Sequence, residues 1–290
     1  MEAIGAEPMD SMEQYLQITD RARRGDGTIN NLTALGLPEG TPRLRIAWMY
    51  PDVLSLHGGR GDLMALLRFA TAAKLPVEIR RIDQMTAPLE LDRTEFLYFC
   101  CGDLSSVPDM IAALMPYRDA LKDFAASGGV IVANGSSGAV LARQLQLLDS
   151  TKVEGLGLLG MCWTQRGSVY GDDLWMETAD GIEVIGNEIK LADVTLDEGQ
   201  APFAALRYGR GNCGDGFEGA LTDNVLYTGC LGPVLVRNPA LTMALLRRGA
   251  QAAGLRTTAE QFALDPEDIA MEERGLAEAR AFIQEKRNKA

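Results

Sequence analysis

In the first half of the chain, hydrophobic positions cluster into short runs rather than alternating. Residues 44–50 (LRIAWMY), 76–82 (PVEIRRI), 96–101 (FLYFCC) and 130–133 (VIVA) each predict a buried strand. Between these runs, apolar residues recur at helical spacing over 63–74, over 107–127 and over 139–147. Gly128 and Gly129 supply the stop for the long middle helix. Strands alternating with helices at this rhythm predict a doubly wound α/β sandwich. Its sheet is mainly parallel and covered on both faces.

The second half has a different pattern. Segments 161–169, 175–178, 182–191, 204–208 and 225–229 are short β candidates joined by Gly and Asp, which predicts an antiparallel extension. Residues 238–254 predict a closing helix. The division expected is an N-terminal arm at 1–42, with an amphipathic helix over 9–24, then an α/β domain at 43–254 and a helical tail at 255–290. Within the tail, 265–290 reads as a charged helix with apolar Ile269, Leu276, Ala279 and Ile283.

Charge narrows the partners. With 28 basic and 40 acidic side chains the formal net charge is −12, a balance that repels phosphate backbones, so no nucleic-acid partner is expected. No apolar run reaches the roughly 18 residues of a spanning helix, and no membrane insertion is expected. The acidic N-terminus lacks the apolar core of a secretory signal. Five cysteines are present (Cys100, Cys101, Cys162, Cys213 and Cys230), with neither CxxC nor zinc-type His/Cys spacing. They read as reduced thiols of a cytoplasmic protein, with no metal and no cofactor implied.

Candidate chemistry centres on the turn after 130–133. A strand, then Asn134-Gly135-Ser136-Ser137-Gly138, then a helix is the layout of a nucleophile elbow, and equally of a plain Gly-rich βα turn. Asn134 tolerates the left-handed backbone of an elbow tip but is not a nucleophile. Ser136 or Ser137 would need a base, and His57 is the single histidine. Asp62, beside Arg60, either caps a helix start or contacts a ligand. The stretch Gly209 to Gly219 (GRGNCGDGFEG) lacks the P-loop pattern.

Several stretches, taken in order, resemble the cobyric-acid-synthase-like class I glutamine amidotransferases. They are most similar to the glutaminase subunits of lipid II isoglutaminyl synthases. Tyr50-Pro51-Asp52-Val53-Leu54 followed by Gly58-Gly59-Arg60-Gly61-Asp62 looks like that family's opening block. The run from Phe96 to Asp103 resembles its apolar strand ending in GGGQD, and Gly186-Asn187-Glu188-Ile189-Lys190 its G-x-E-x-H strand. Gly209 to Gly219, with Asn212, and then Gly232 to Leu241 are similar to its C-terminal blocks. The resemblance spans about 43–250 and implies a partner subunit of Mur-ligase type, in enzymes that amidate the D-glutamate of peptidoglycan stem peptides.

The departures fall on the chemistry. The resemblance places the family's nucleophilic cysteine at Asn134, its base histidine at Leu231 and the histidine of the G-x-E-x-H strand at Lys190. Its oxyanion glycines correspond to Cys100, Cys101 and Gly102, next to Asp103, and its post-nucleophile positions to Gly135 and Ser136. Loss of both nucleophile and base removes most of the rate enhancement of a covalent hydrolase. The expectation is therefore a catalytically degenerate subunit that binds a Mur-ligase-like partner or a second copy of itself. Two alternatives stand beside it: an enzyme whose remodelled site uses Ser136, Cys100 or Cys101, and a sensor of small amino-acid ligands that keeps Arg60, Asp62 or Asn212 as contacts.

Overall fold

The computed structural model describes residues 28–289; the expected helix at 9–24 lies outside them. Five parallel strands form the centre, in the order β3 (Val77–Ile82), β2 (Leu44–Met49), β4 (Phe96–Phe99), β5 (Val130–Asn134), β13 (Val225–Thr228). They are solid apolar runs because both faces are covered: every residue of β4, β5 and β13 is buried. Antiparallel strands β1 (Thr28–Asn30) and β12 (Ala220–Thr222) close the two edges.

Strand order reverses between β2 and β4, because the chain steps outward from β2 to β3 and then returns to the other side. Right-handed crossovers therefore put α1 (Gly59–Ala72) on one face and α2 (Val107–Leu114) with α3 (Arg118–Ala126) on the other. A crevice opens at such a switch point, beyond the carboxyl ends of the strands. The loop after β4, carrying Cys100 and Cys101, ends there.

A second sheet runs β11 (Phe217–Glu218), β10 (Ala204–Tyr208), β8 (Met161–Thr178), β6 (Gln144–Gln146), β7 (Lys152–Glu154), with β9 (Glu183–Leu196) paired along β8. It is the expected antiparallel extension, with one parallel pair, β6–β8.

Four expectations need correction. The helix expected at 107–127 breaks into α2 and α3 around a 3-10 turn at Met115–Tyr117, where Pro116 has no amide to donate. The helix expected at 139–147 stops after α4 (Gly138–Leu141), and the alternation around fully buried Leu145 makes strand β6 instead. The two short strands at 161–169 and 175–178 are one strand, bulged between Gln165 and Tyr170. Part of the expected arm belongs to the sheet: Asn31 is 2% exposed, its Nδ2 donates to the Leu75 carbonyl at 2.9 Å and its Oδ1 accepts from the Val77 amide at 2.8 Å.

After the closing helix α6 (Pro239–Ala252), which follows the short α5 (Val234–Arg237), the tail forms α7 (Ala270–Lys289). Leu276 and Ile283 of α7 pack on Trp175 and Ile185 of the β8–β9 hairpin, a cluster separate from the main core. Arg280 pairs with Glu183, and Lys286 with Asp172 and Asp173.

Candidate functional site

The turn after β5 has the elbow layout, but its tip is one residue later than expected. Asn134 is extended, at φ −115° and ψ 132°, and Gly135 carries the positive φ of 61°. The left-handed conformation falls to glycine because it lacks the Cβ that makes it costly. Asn134 ends β5, opposite Thr228 of β13. Its side chain is 3% exposed, and its Nδ2 donates to the Cys230 carbonyl at 2.5 Å. Asn134 therefore ties two strand ends together.

A Cβ built on Gly135 shows what faces the tip. It falls 2.5 Å from Cys101 Sγ, 2.9 Å from Cys101 Cβ and 2.9 Å from Leu231 Cδ2. Cys101 is 5% exposed and Leu231 2%. The space beyond the tip is thus filled by these two side chains. Leu231 is fixed through its backbone, its amide donating to the Asn187 carbonyl at 2.7 Å and its carbonyl accepting from the Asn187 amide at 3.2 Å.

The oxyanion region is also closed. Ser136 Oγ accepts from the Gly102 amide at 3.1 Å and donates to the Gly102 carbonyl at 2.5 Å. Cys101 Sγ lies 3.7 Å from the same hydroxyl. Ser137 bonds to the carbonyls of Phe99 and Asn134 at 3.2 and 2.9 Å. His57, in the exposed loop before α1, is not among the described hydrogen-bond partners of either serine. Burial pushes the thiols of Cys100, Cys101 and Cys230 up, away from the reactive thiolate. Cys100 points away from the turn and packs so closely on the start of α1 that a Cβ on Gly59 would lie 2.6 Å from its own. Asp103 caps the 3-10 turn at Leu104–Ser106, accepting from the Ser105 amide at 2.8 Å, which holds its carboxyl below the usual carboxylate range.

Two of the expected ligand contacts are engaged internally. Asp62 is 1% exposed and accepts from Tyr98 OH at 3.0 Å and from the Leu235 amide at 2.7 Å. It therefore satisfies the amino end of α5, across the fold from its own helix. Desolvation pushes its carboxyl up to about 7. Asn212 is fully buried and clamps the 209–219 loop, its amide and carbonyl each meeting the Gly219 backbone at 2.9 Å. Arg60, partly exposed, enters α1 from the loop that carries His57.

Behind the turn lies a buried charged group that the sequence reading did not assemble. Lys190 is 6% exposed, with Glu188 and Glu218 each 1%. Glu188 accepts from the amides of Arg210 at 2.5 Å and Gly211 at 3.0 Å; Glu218 accepts from Thr228 Oγ1 at 2.9 Å and the Gly229 amide at 2.5 Å. Desolvation lowers the Lys190 ammonium and pushes Glu218 up to about 7, against the pull each exerts on the other. The sequence pattern pointed the other way, because on β9 the apolar Ile189 and Leu191 are exposed while their charged neighbours Glu188 and Lys190 are buried. On the outer side, an open cleft of about 460 Å³ is lined by His57, Asp172, Asp173, Glu188, Leu231 and Lys286.

The α/β core, with an elbow-type turn after β5 facing the loop after β4, resembles class I glutamine amidotransferase domains, and a distant sequence similarity points the same way. The chain is 23% identical over 216 residues to the lipid II isoglutaminyl synthase (glutamine-hydrolyzing) subunit GatD of Staphylococcus aureus strain N315, covering 73% of this chain and 86% of that protein. No family profile matches the chain. Among solved structures, it is similar to PurLQS from Thermotoga maritima (TM-score 0.47, 14% identity, 73% of this chain and 97% of that one). A crystal structure of a glutamine amidotransferase gives 0.45 at 15% identity over 72% and 99% of the two chains. A glutamine amidotransferase from Thermotoga maritima gives 0.44 at 10% over 83% and 95%.

Proposed function

We propose that this chain is a catalytically degenerate amidotransferase-like subunit. It acts as a scaffold or regulatory partner of a Mur-ligase-type or other ATP-dependent amidating enzyme of cell-wall metabolism. One observation carries the reading: the tip of the turn has no side chain, and the space before it holds Cys101 and Leu231. Amide hydrolysis through a covalent intermediate needs a nucleophile, a base to activate it and donors for the oxyanion. The nucleophile's counterpart is Gly135 rather than Asn134, since Gly135 has the positive φ and its Cβ direction aims at the candidate base position. That base position holds an aliphatic chain, and the Gly102 amide is already bonded to Ser136.

The partner role draws on the relative, which is named as a subunit. Size-exclusion chromatography of the chain mixed with a Mur-ligase-type protein from the same organism tests this. The two co-elute if the reading holds, and separate elution at micromolar concentration removes its main support. A second reading, a sensor of small polar ligands, is favoured by the cleft beside Leu231 and His57. In that case glutamine or glutamate raises the melting temperature, as any ligand selective for the folded state does.

A further inference from the structure

Helix α7 is amphipathic in an unusual way. Its inner side, through Leu276 and Ile283, holds it on Trp175 and Ile185. Its outer side carries Met271 at 82% exposure and Phe282 at 58%. Eleven residues make almost exactly three helical turns in number terms, about 16 Å of rise, so both side chains lie on one face. Between them on that face are exposed Gly275 and Glu278, with Arg274 alongside. The ion pairs described for α7 use Glu272, Arg280, Glu285, Lys286 and Lys289 and leave Arg274 and Glu278 out.

We infer that this face is the contact between two copies of the chain, packed antiparallel through α7. A two-fold axis between Leu276 and Ala277 sets Met271 of each copy against Phe282 of the other. Gly275 at the crossing lets the helices approach. Arg274 of one copy then lies about one residue's rise from the position facing Glu278 of the other, so the two unpaired charges meet twice. The polarity of the helix fits the same arrangement. Antiparallel copies align their helix dipoles favourably, and with the axis between Leu276 and Ala277 the last turn of each copy extends past the first residue of the other. Parallel copies would oppose like to like. The inference does not depend on the catalytic reading: Lys286 of α7 lines the cleft beside Leu231, but Met271 and Phe282 do not.

One helix face against another buries less than about 1,200 Å², which places the dimer among weak associations. Sedimentation velocity on the full chain, from about 1 to about 300 µM, brackets the affinities such contacts reach. The expected result is a mass rising from one chain towards two. Met271→Asp combined with Phe282→Asp weakens the dimer at least about tenfold, with circular dichroism and melting unchanged because both side chains are exposed. Glu278→Arg weakens it alone, and adding Arg274→Glu restores it to within about threefold. A single-chain mass at every concentration overturns the inference, as does a dimer indifferent to the Met271 and Phe282 substitutions. Binding of these residues to a different protein while the chain stays single overturns it too. Failure of the charge exchange to restore association overturns the antiparallel register.

Discussion

Gly135→Ala adds one methyl group at the tip of the turn and probes the filled space directly. Two costs add. An L-residue at φ 61° loses about 1–2 kcal/mol to contact between its Cβ and the backbone. The new carbon also arrives 2.5 Å from Cys101 Sγ and 2.9 Å from Leu231 Cδ2, well inside van der Waals contact. Both neighbours are buried, and overpacking of this kind costs about 1–3 kcal/mol. The expected loss is about 2–5 kcal/mol, a large part of a typical domain's stability. Urea denaturation with linear extrapolation reads it. Cys101→Ala removes the sulfur but leaves its Cβ, so it relieves the shortest contact and none of the backbone strain. In the double variant we expect a coupling of about 1 kcal/mol or more, with about 1–2 kcal/mol of strain remaining. A Gly135→Ala loss below about 0.5 kcal/mol, or additive effects of the two changes, would refute the claim that Cys101 occupies the space before the tip.

Asp62 and the tail helix give two further predictions. The Asp62 carboxyl rises from 3.8 to about 7 on folding, so between those pH values the native state keeps a proton that the unfolded chain has lost. Its contribution is therefore fully present below about pH 4 and lost as pH rises to 7, by up to about 4 kcal/mol in order of magnitude. Glu218, pushed up from 4.5 to about 7, acts in the same direction. Asp62→Asn, which mimics the protonated form, should flatten this part of the urea-unfolding pH profile; an unchanged slope counts against a buried, proton-holding Asp62. Ile283→Ala should cost about 2–4 kcal/mol of α7 docking while the main sheet keeps its stability, because the Trp175 cluster is separate from the core. Acrylamide quenching of tryptophan fluorescence should then increase; unchanged quenching would mean that α7 does not depend on this cluster.

The central sheet was legible because strands buried on both faces read as apolar runs, and β2, β4 and β5 lie within a residue or two of where those runs predict. The second sheet was less so. Gln144–Gln146 offers one buried residue, Leu145, between polar neighbours, too short a pattern to outweigh the preceding Ala-Val-Leu. Thr28–Asn30 is likewise held by its partner β3 and by Asn31, contacts remote in sequence. At the site, Asn134 and Gly135 both tolerate a left-handed backbone, and the sequence alone does not choose between them. The choice is made by pairing of Asn134 with Thr228 and by its bond to Cys230, which extend β5 by one residue. Burial of Glu188, Lys190 and Glu218 was hidden for a similar reason. Their compensating partners are backbone amides at 210, 211 and 229 and one another, groups that sequence spacing does not bring together.

Glutamate release from glutamine, measured on the purified chain with and without a Mur-ligase-type partner, tests the central claim most directly. The filled turn and the aliphatic Leu231 predict no release above the protein-free rate under either condition. Sustained turnover by the wild-type chain that disappears in Cys101→Ala or Ser136→Ala would contradict the account and establish a working site at this turn.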